Sequence, residues 1–154
     1  MSVAFRRDGD EEHLEPKFEL PIPPGPNLVT ARGQALIGAK AAEWEAIVLG
    51  LTDEAEIKAA RRHLRYWRTR EATTQRVEPS DASKVAFGCT VTFRMNGKQR
   101  AITIVGDDEA DPAAGLLSFA APLCRAMMDA EPGDLIDFGR KAEAIEIVAI
   151  KVSD

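Results

Sequence analysis

The hydrophobic period of this chain changes once, and the change falls between Val77 and Val85. Before it, Ile37, Ala41, Trp44, Val48 and Leu51 recur at i, i+4, i+7, i+11 and i+14. Ile57, Ala60, Leu64 and Trp67 follow at i, i+3, i+7 and i+10. These are two apolar stripes at helical spacing. After the change, VAFGCTVTFRM (85–95) and QRAITIVG (99–106) hold β-branched and aromatic residues in partial alternation, and Asn96-Gly97 between them is a strong two-residue hairpin signal. A chain that writes helices first and strands second is expected to be α+β.

Local punctuation refines this. Thr30 is placed to cap the first helix, Gly50 suits its end, and Pro79 stops the second. Residues 29–78 are therefore expected to form an antiparallel helical hairpin, a short coiled coil. Residues 1–28 read as a disordered or extended acidic tail, because Pro16, Pro21, Pro23, Pro24 and Pro26 exclude helix. Beyond Pro79, LLSFAA (116–121) reads as a third strand, PLCRAMMDA (122–130) as a short helix with proline in its first turn, and DLIDFG and AEAIEIVAIKV as two further strands. Residues 79–154 are thus expected to be an antiparallel sheet carrying one helix.

Composition narrows the function classes. With 154 residues and 45% hydrophobic content the chain can bury a modest core. Its net charge of −5 is uneven, with acidic excess in 1–28 and 80–154 and a small basic excess between them, which argues against gripping nucleic acid over the whole surface. Cys89 and Cys124 lack any zinc or disulfide spacing and are expected to be buried, inert thiols. No apolar run approaches the ~18 residues of a membrane span, and MSVAFRRDGDEEH lacks the apolar core of a secretory signal, so the expectation is a cytoplasmic protein without membrane contact. His13 and His63 stand alone, and no spacing suggests nucleophilic chemistry.

Three constellations invite a functional reading. In LGLTDEAEIKAA (49–60), Asp53, Glu54 and Glu56 are either an acidic tip that helps hold a metal ion or helix punctuation, since Asp53-x-x-Glu56 is a capping-box spacing. In AARRHLRYWRTR (59–70), Arg61, Arg65 and Arg68 share one face opposite the Leu64/Trp67 stripe; that face either meets an anionic partner or is a solvated exterior. VGDDEADP (105–112) lacks the 12-residue spacing of a calcium-binding hand and reads as a polar loop.

NLVTARGQALI (27–37) resembles the first-helix entry of the bacterial transcription elongation factors GreA and GreB, and ITIVGDDEADPAAGLLSFAAPLCRAMMDAEPGDLIDF (102–138) resembles the heart of their C-terminal domain. The similarity runs from about Leu28 to Val152. It implies a coiled coil that enters the secondary channel of RNA polymerase, followed by an FKBP-like domain docked at the channel mouth. Ala121, Pro122, Leu123, Arg125 and Ala126 fall on the segment that would dock on the β′ subunit; Ala121 replaces the family's Ser, and Cys124 its Ala. In the family, two acidic residues in a Gly-Asp-x-x-Glu-Asn-Ala tip help hold a magnesium ion shared with the polymerase.

That stretch is missing here, and the hairpin has lost roughly twenty residues, which at ~1.5 Å per residue shortens each arm by ~15 Å. The resemblance therefore implies a non-enzymatic, polymerase-binding factor that meets nucleic acid only through the polymerase complex. It needs no cofactor unless the tip is active, when magnesium would be shared. Open alternatives are a cleavage factor using residues 53–56 and a regulator of another partner, such as nucleoside diphosphate kinase. A prolyl isomerase is the weakest rival, since fold does not carry function and the second half offers four Phe but no Trp or Tyr for a proline pocket.

Overall fold

The computed structural model describes residues 19–79 and 81–152. Only the last part of the expected tail is therefore seen, and His13 lies outside the described residues. The chain divides into two compact units. One holds Ile37–Thr73 with the described residues up to Gly25; the other holds Pro26–Leu36 with the chain from Thr74 onward.

Two helices dominate the first unit. Helix α1 (Ala31–Gly50) enters it at residue 37, and α2 (Glu54–Ala72) returns after a three-residue turn. Both apolar stripes turn inward: Ile37, Ala41, Ala60 and Leu64 are buried, while Trp44, Val48, Leu51, Ile57 and Trp67 are half-buried. Side chains of the two helices also meet directly. Trp44 stacks on His63 with ring centroids 4.2 Å apart and planes 8° from parallel, and Arg68 meets Glu45 at 3.1 Å. His63, which had no partner in the sequence pattern, is a packing residue of the hairpin. Arg70 is also unexpected, being the largest fully buried side chain among the described residues.

The second unit is built on five strands: β3 (Cys89–Met95), β4 (Lys98–Val105), β5 (Leu116–Ser118), β6 (Leu135–Phe138) and β7 (Lys141–Val152). Their spatial order is β5-β4-β3-β7-β6. Asn96 and Gly97 both have positive φ, 56° and 76°, and close the β3–β4 hairpin with Met95 opposite Lys98. A similar two-residue turn at Gly139-Arg140, φ 61° and 71°, joins β6 to β7. Cys89, Val91, Phe93, Ile102, Ile104, Ile145 and Ile147 are buried from alternate strand positions, and the short helix α3 (Pro122–Met127) adds Cys124 and Met127 to their core.

The sheet is antiparallel except at one edge. β5 pairs with β4 in parallel, Thr103 opposite Leu116, because residues 106–115 carry the chain back through two 3-10 turns instead of reversing it in a hairpin. Two further boundaries differ from expectation. Residues 128–130 leave α3 because they pair with residue 85: Asp129 N–H donates to Val85 O and Val85 N–H to Ala130 O. The same pairing pulls Val85 out of the expected strand, which starts at Cys89.

The second difference is a small parallel ribbon, β1 (Asn27–Val29) with β2 (Thr74–Arg76). The helical reading had run from Val29 to about Val77. Helix α2 instead ends at Ala72, where the Thr73 hydroxyl bonds Thr69 O at 2.9 Å, and the β-branched Thr74 starts β2. The expected hairpin span of 29–78 therefore has residues in both units.

Candidate functional site

The most tightly built polar cluster lies in the second unit, at the first turn of α1. Thr30 caps that helix as its position suggested: Gly33 N–H donates to Thr30 Oγ1 at 3.0 Å. The same hydroxyl donates to Glu109 Oε1 at 2.6 Å, and Arg32 Nε donates to Glu109 Oε2 at 2.8 Å. Glu109 is buried, so its carboxylate sits in low dielectric against the helix start with both oxygens bonded. Gly33 makes room for it, since a Cβ there would lie 2.8 Å from Glu109 Oε1.

The loop that carries Glu109 is pressed equally close to β1, and a Cβ on Gly106 would run into the Leu28 carbonyl oxygen. VGDDEADP is thus more than a polar loop. Asp107 accepts from Ser118 Oγ at 2.6 Å, Ser118 Oγ accepts from Ala120 N–H, and Glu109 is a buried anchor. The NLVTARG and VGDDEAD segments, far apart in sequence, pack on each other. A cavity of about 210 Å³ opens beside them, with Thr30, Arg32, Val77, Pro79, Thr103 and Glu109 on its walls. The polar groups there are largely spoken for by one another: Thr30 and Arg32 by Glu109, and Thr103 Oγ1 by Thr90 Oγ1 at 2.8 Å.

The expected docking segment lies on α3. Pro122 and Arg125 are exposed, whereas Ala121, Leu123 and Ala126 are half-buried, with Ala121 and Leu123 packed against the core. Ala121 is the N-cap and, as its side chain dictates, offers no cap bond.

In the first unit, Asp53, Glu54 and Glu56 are all exposed at the hairpin turn. Asp53 is the N-cap of α2, its Oδ2 accepting from Glu56 N–H at 2.9 Å, so the Asp53 half of the capping box is formed. Among the described residues no three His, Cys, Asp or Glu groups stand close enough to hold a metal ion. Leu49 beside it is 81% exposed. On the basic face, Arg61, Arg65 and Arg68 point outward as their spacing requires. Two of them are paired within the unit, Arg68 with Glu45 and Arg65 with Glu19. Among the described residues no helix is long and apolar enough to cross a membrane.

Comparison with known proteins bears on this arrangement. Residues 79–154 match the family described as "Transcription elongation factor, GreA/GreB, C-term". The transcription elongation factor GreA of Helicobacter pylori is 34% identical over 97 residues, 56% of this chain and 59% of that protein. GreA of Nitratidesulfovibrio vulgaris is 40% identical over 72 residues, 44% of each. The chain thus spans about half the length of the curated relatives it matches. A solved GreA/GreB elongation factor from Nitrosomonas europaea aligns with 83% of this chain and 99% of that one at 18% identity and a TM-score of 0.40.

Proposed function

From the membership of this chain in the GreA/GreB family, carried by residues 79–154, we propose that it is an accessory transcription elongation factor that binds RNA polymerase at the secondary channel without strongly stimulating RNA cleavage. In this reading it is not itself an enzyme. The exposed Pro122 and Arg125 of α3 meet the β′ subunit, the hairpin enters the channel, and nucleic acid is met only within the polymerase complex. The observation that carries the non-cleaving part is the hairpin turn. Asp53 is used as a helix cap, and arms of 20 and 19 residues span only about 30 Å at ~1.5 Å per residue. A magnesium ligand must come within about 2.1 Å of the ion, so a blunt tip seated in the family's docking pose stops short.

The test is transcript cleavage on backtracked polymerase complexes, with this protein alone and in competition with a full-length Gre factor. The expected outcome is no cleavage from the protein alone and reduced cleavage in competition. Cleavage by the protein alone, lost in Asp53→Ala/Glu54→Ala, overturns the reading in favour of an active acidic tip. Retention of Arg125→Glu by immobilised polymerase as well as wild type would remove the docking assignment. Failure of the wild-type chain to bind polymerase would move the function to another partner, such as nucleoside diphosphate kinase.

A further inference from the structure

One arginine of the basic face of α2, Arg65, is already paired in this structure with Glu19, which precedes both helices. Arg65 makes a two-bond fork to Glu19, Nε to Oε1 at 2.9 Å and Nη2 to Oε2 at 2.6 Å. Leu20 and the exposed Ile22 line one side of a shallow groove whose other side is Arg62, Tyr66 and Thr69 of the same helix. Pro21, Pro23 and Pro24 restrict this segment to extended backbone, so little conformational entropy is lost when it is seated. The hydrogen bonds from Arg65 hold the Glu19 carboxyl below its usual range against a smaller opposing effect of desolvation, and the charges of Arg65 and Arg62 add to the lowering.

We propose that Glu19–Ile22 is an intramolecular strap that masks the Arg62/Arg65 face of α2 from an acidic protein partner, which must displace Glu19 to reach Arg65. The inference stands apart from the polymerase reading, because it needs only the contacts within the first unit. Two features point to an acidic polypeptide. The seated group is a carboxylate carried on an extended segment, and its fork geometry is that of an Arg–carboxylate pair. A tethered occupant competes at an effective concentration on the order of millimolar, so masking needs no strong intrinsic affinity.

Labelled poly-L-glutamate is the probe, titrated with the full chain at low salt, where the Debye length reaches about 30 Å at 0.01 M. Glu19→Gln is expected to bind about twofold to fivefold tighter than wild type, the range spanned by exposed ion pairs. Glu19→Gln/Arg65→Gln should lose that gain. Glu43→Gln removes an equal charge from α1, where Glu43 faces Lys40 at 3.6 Å, and should leave affinity unchanged. Equal affinity of wild type and Glu19→Gln, or no binding by either, overturns the strap. A matching gain in Glu43→Gln also overturns it, by assigning the effect to net charge. A gain seen with a single-stranded oligonucleotide but not with poly-L-glutamate overturns the acidic-polypeptide assignment.

Discussion

Thr30 serves two partners with one hydroxyl, accepting from Gly33 N–H and donating to the buried Glu109. Thr30→Val keeps the shape and removes both bonds, leaving a helix start uncapped and a buried carboxylate short of a donor. The expected loss is about 1–3 kcal/mol of stability by urea denaturation, with Thr30→Ser close to wild type. Gly106→Ala is expected to cost about 2 kcal/mol or more, because the added methyl must push β1 away from the loop. Part of this cluster was legible in sequence and part was not. The Thr30 cap follows from a partner three residues away, a distance at which local chemistry decides. The burial of Glu109 depends on partners 79 and 77 residues distant, so DDEAD read only as an acidic loop.

At the scale of elements, the same distinction separates what periodicity fixes from what tertiary pairing fixes. The two stripes and the Asn-Gly turn placed α1, α2, β3 and β4 nearly where they lie, since each encodes its own geometry. The parallel edge of β5, the early end of α3 and the β1–β2 ribbon were not visible, because each is set by a remote strand offering backbone partners. The hairpin turn allows a decisive comparison. If Asp53 acts as a cap, Asp53→Ala should lower stability by about 1 kcal/mol, a Tm shift of about 2–4 °C for a chain of this size, and Asp53→Ser should recover it. If the carboxylate itself were needed, serine would restore stability and leave transcript cleavage lost. Differential scanning calorimetry and the cleavage assay on the same two variants separate the roles.

For the molecule as a whole, the cysteines report when the second unit opens. Cys89 and Cys124 are both fully buried, Cys124 among the core side chains beneath the sheet. Burial pushes both thiols up, Cys124 to about 11. At pH 8 a thiol with that value is thiolate in only about one molecule in a thousand, and the thiolate is the reactive form. A disulfide reagent is therefore expected to modify neither cysteine in the folded protein at pH 8 and both once urea unfolds it. Rapid labelling without denaturant would show that the core around α3 opens readily. The same shift fixes a sign. The unfolded chain surrenders the Cys124 proton near pH 9 while the folded one keeps it to about 11, so the associated stability is complete below about pH 9 and is lost as pH rises through 11. Urea midpoints of the wild type should fall faster across that window than those of Cys124→Ala, which has no proton to lose; parallel slopes would remove the thiol as the cause.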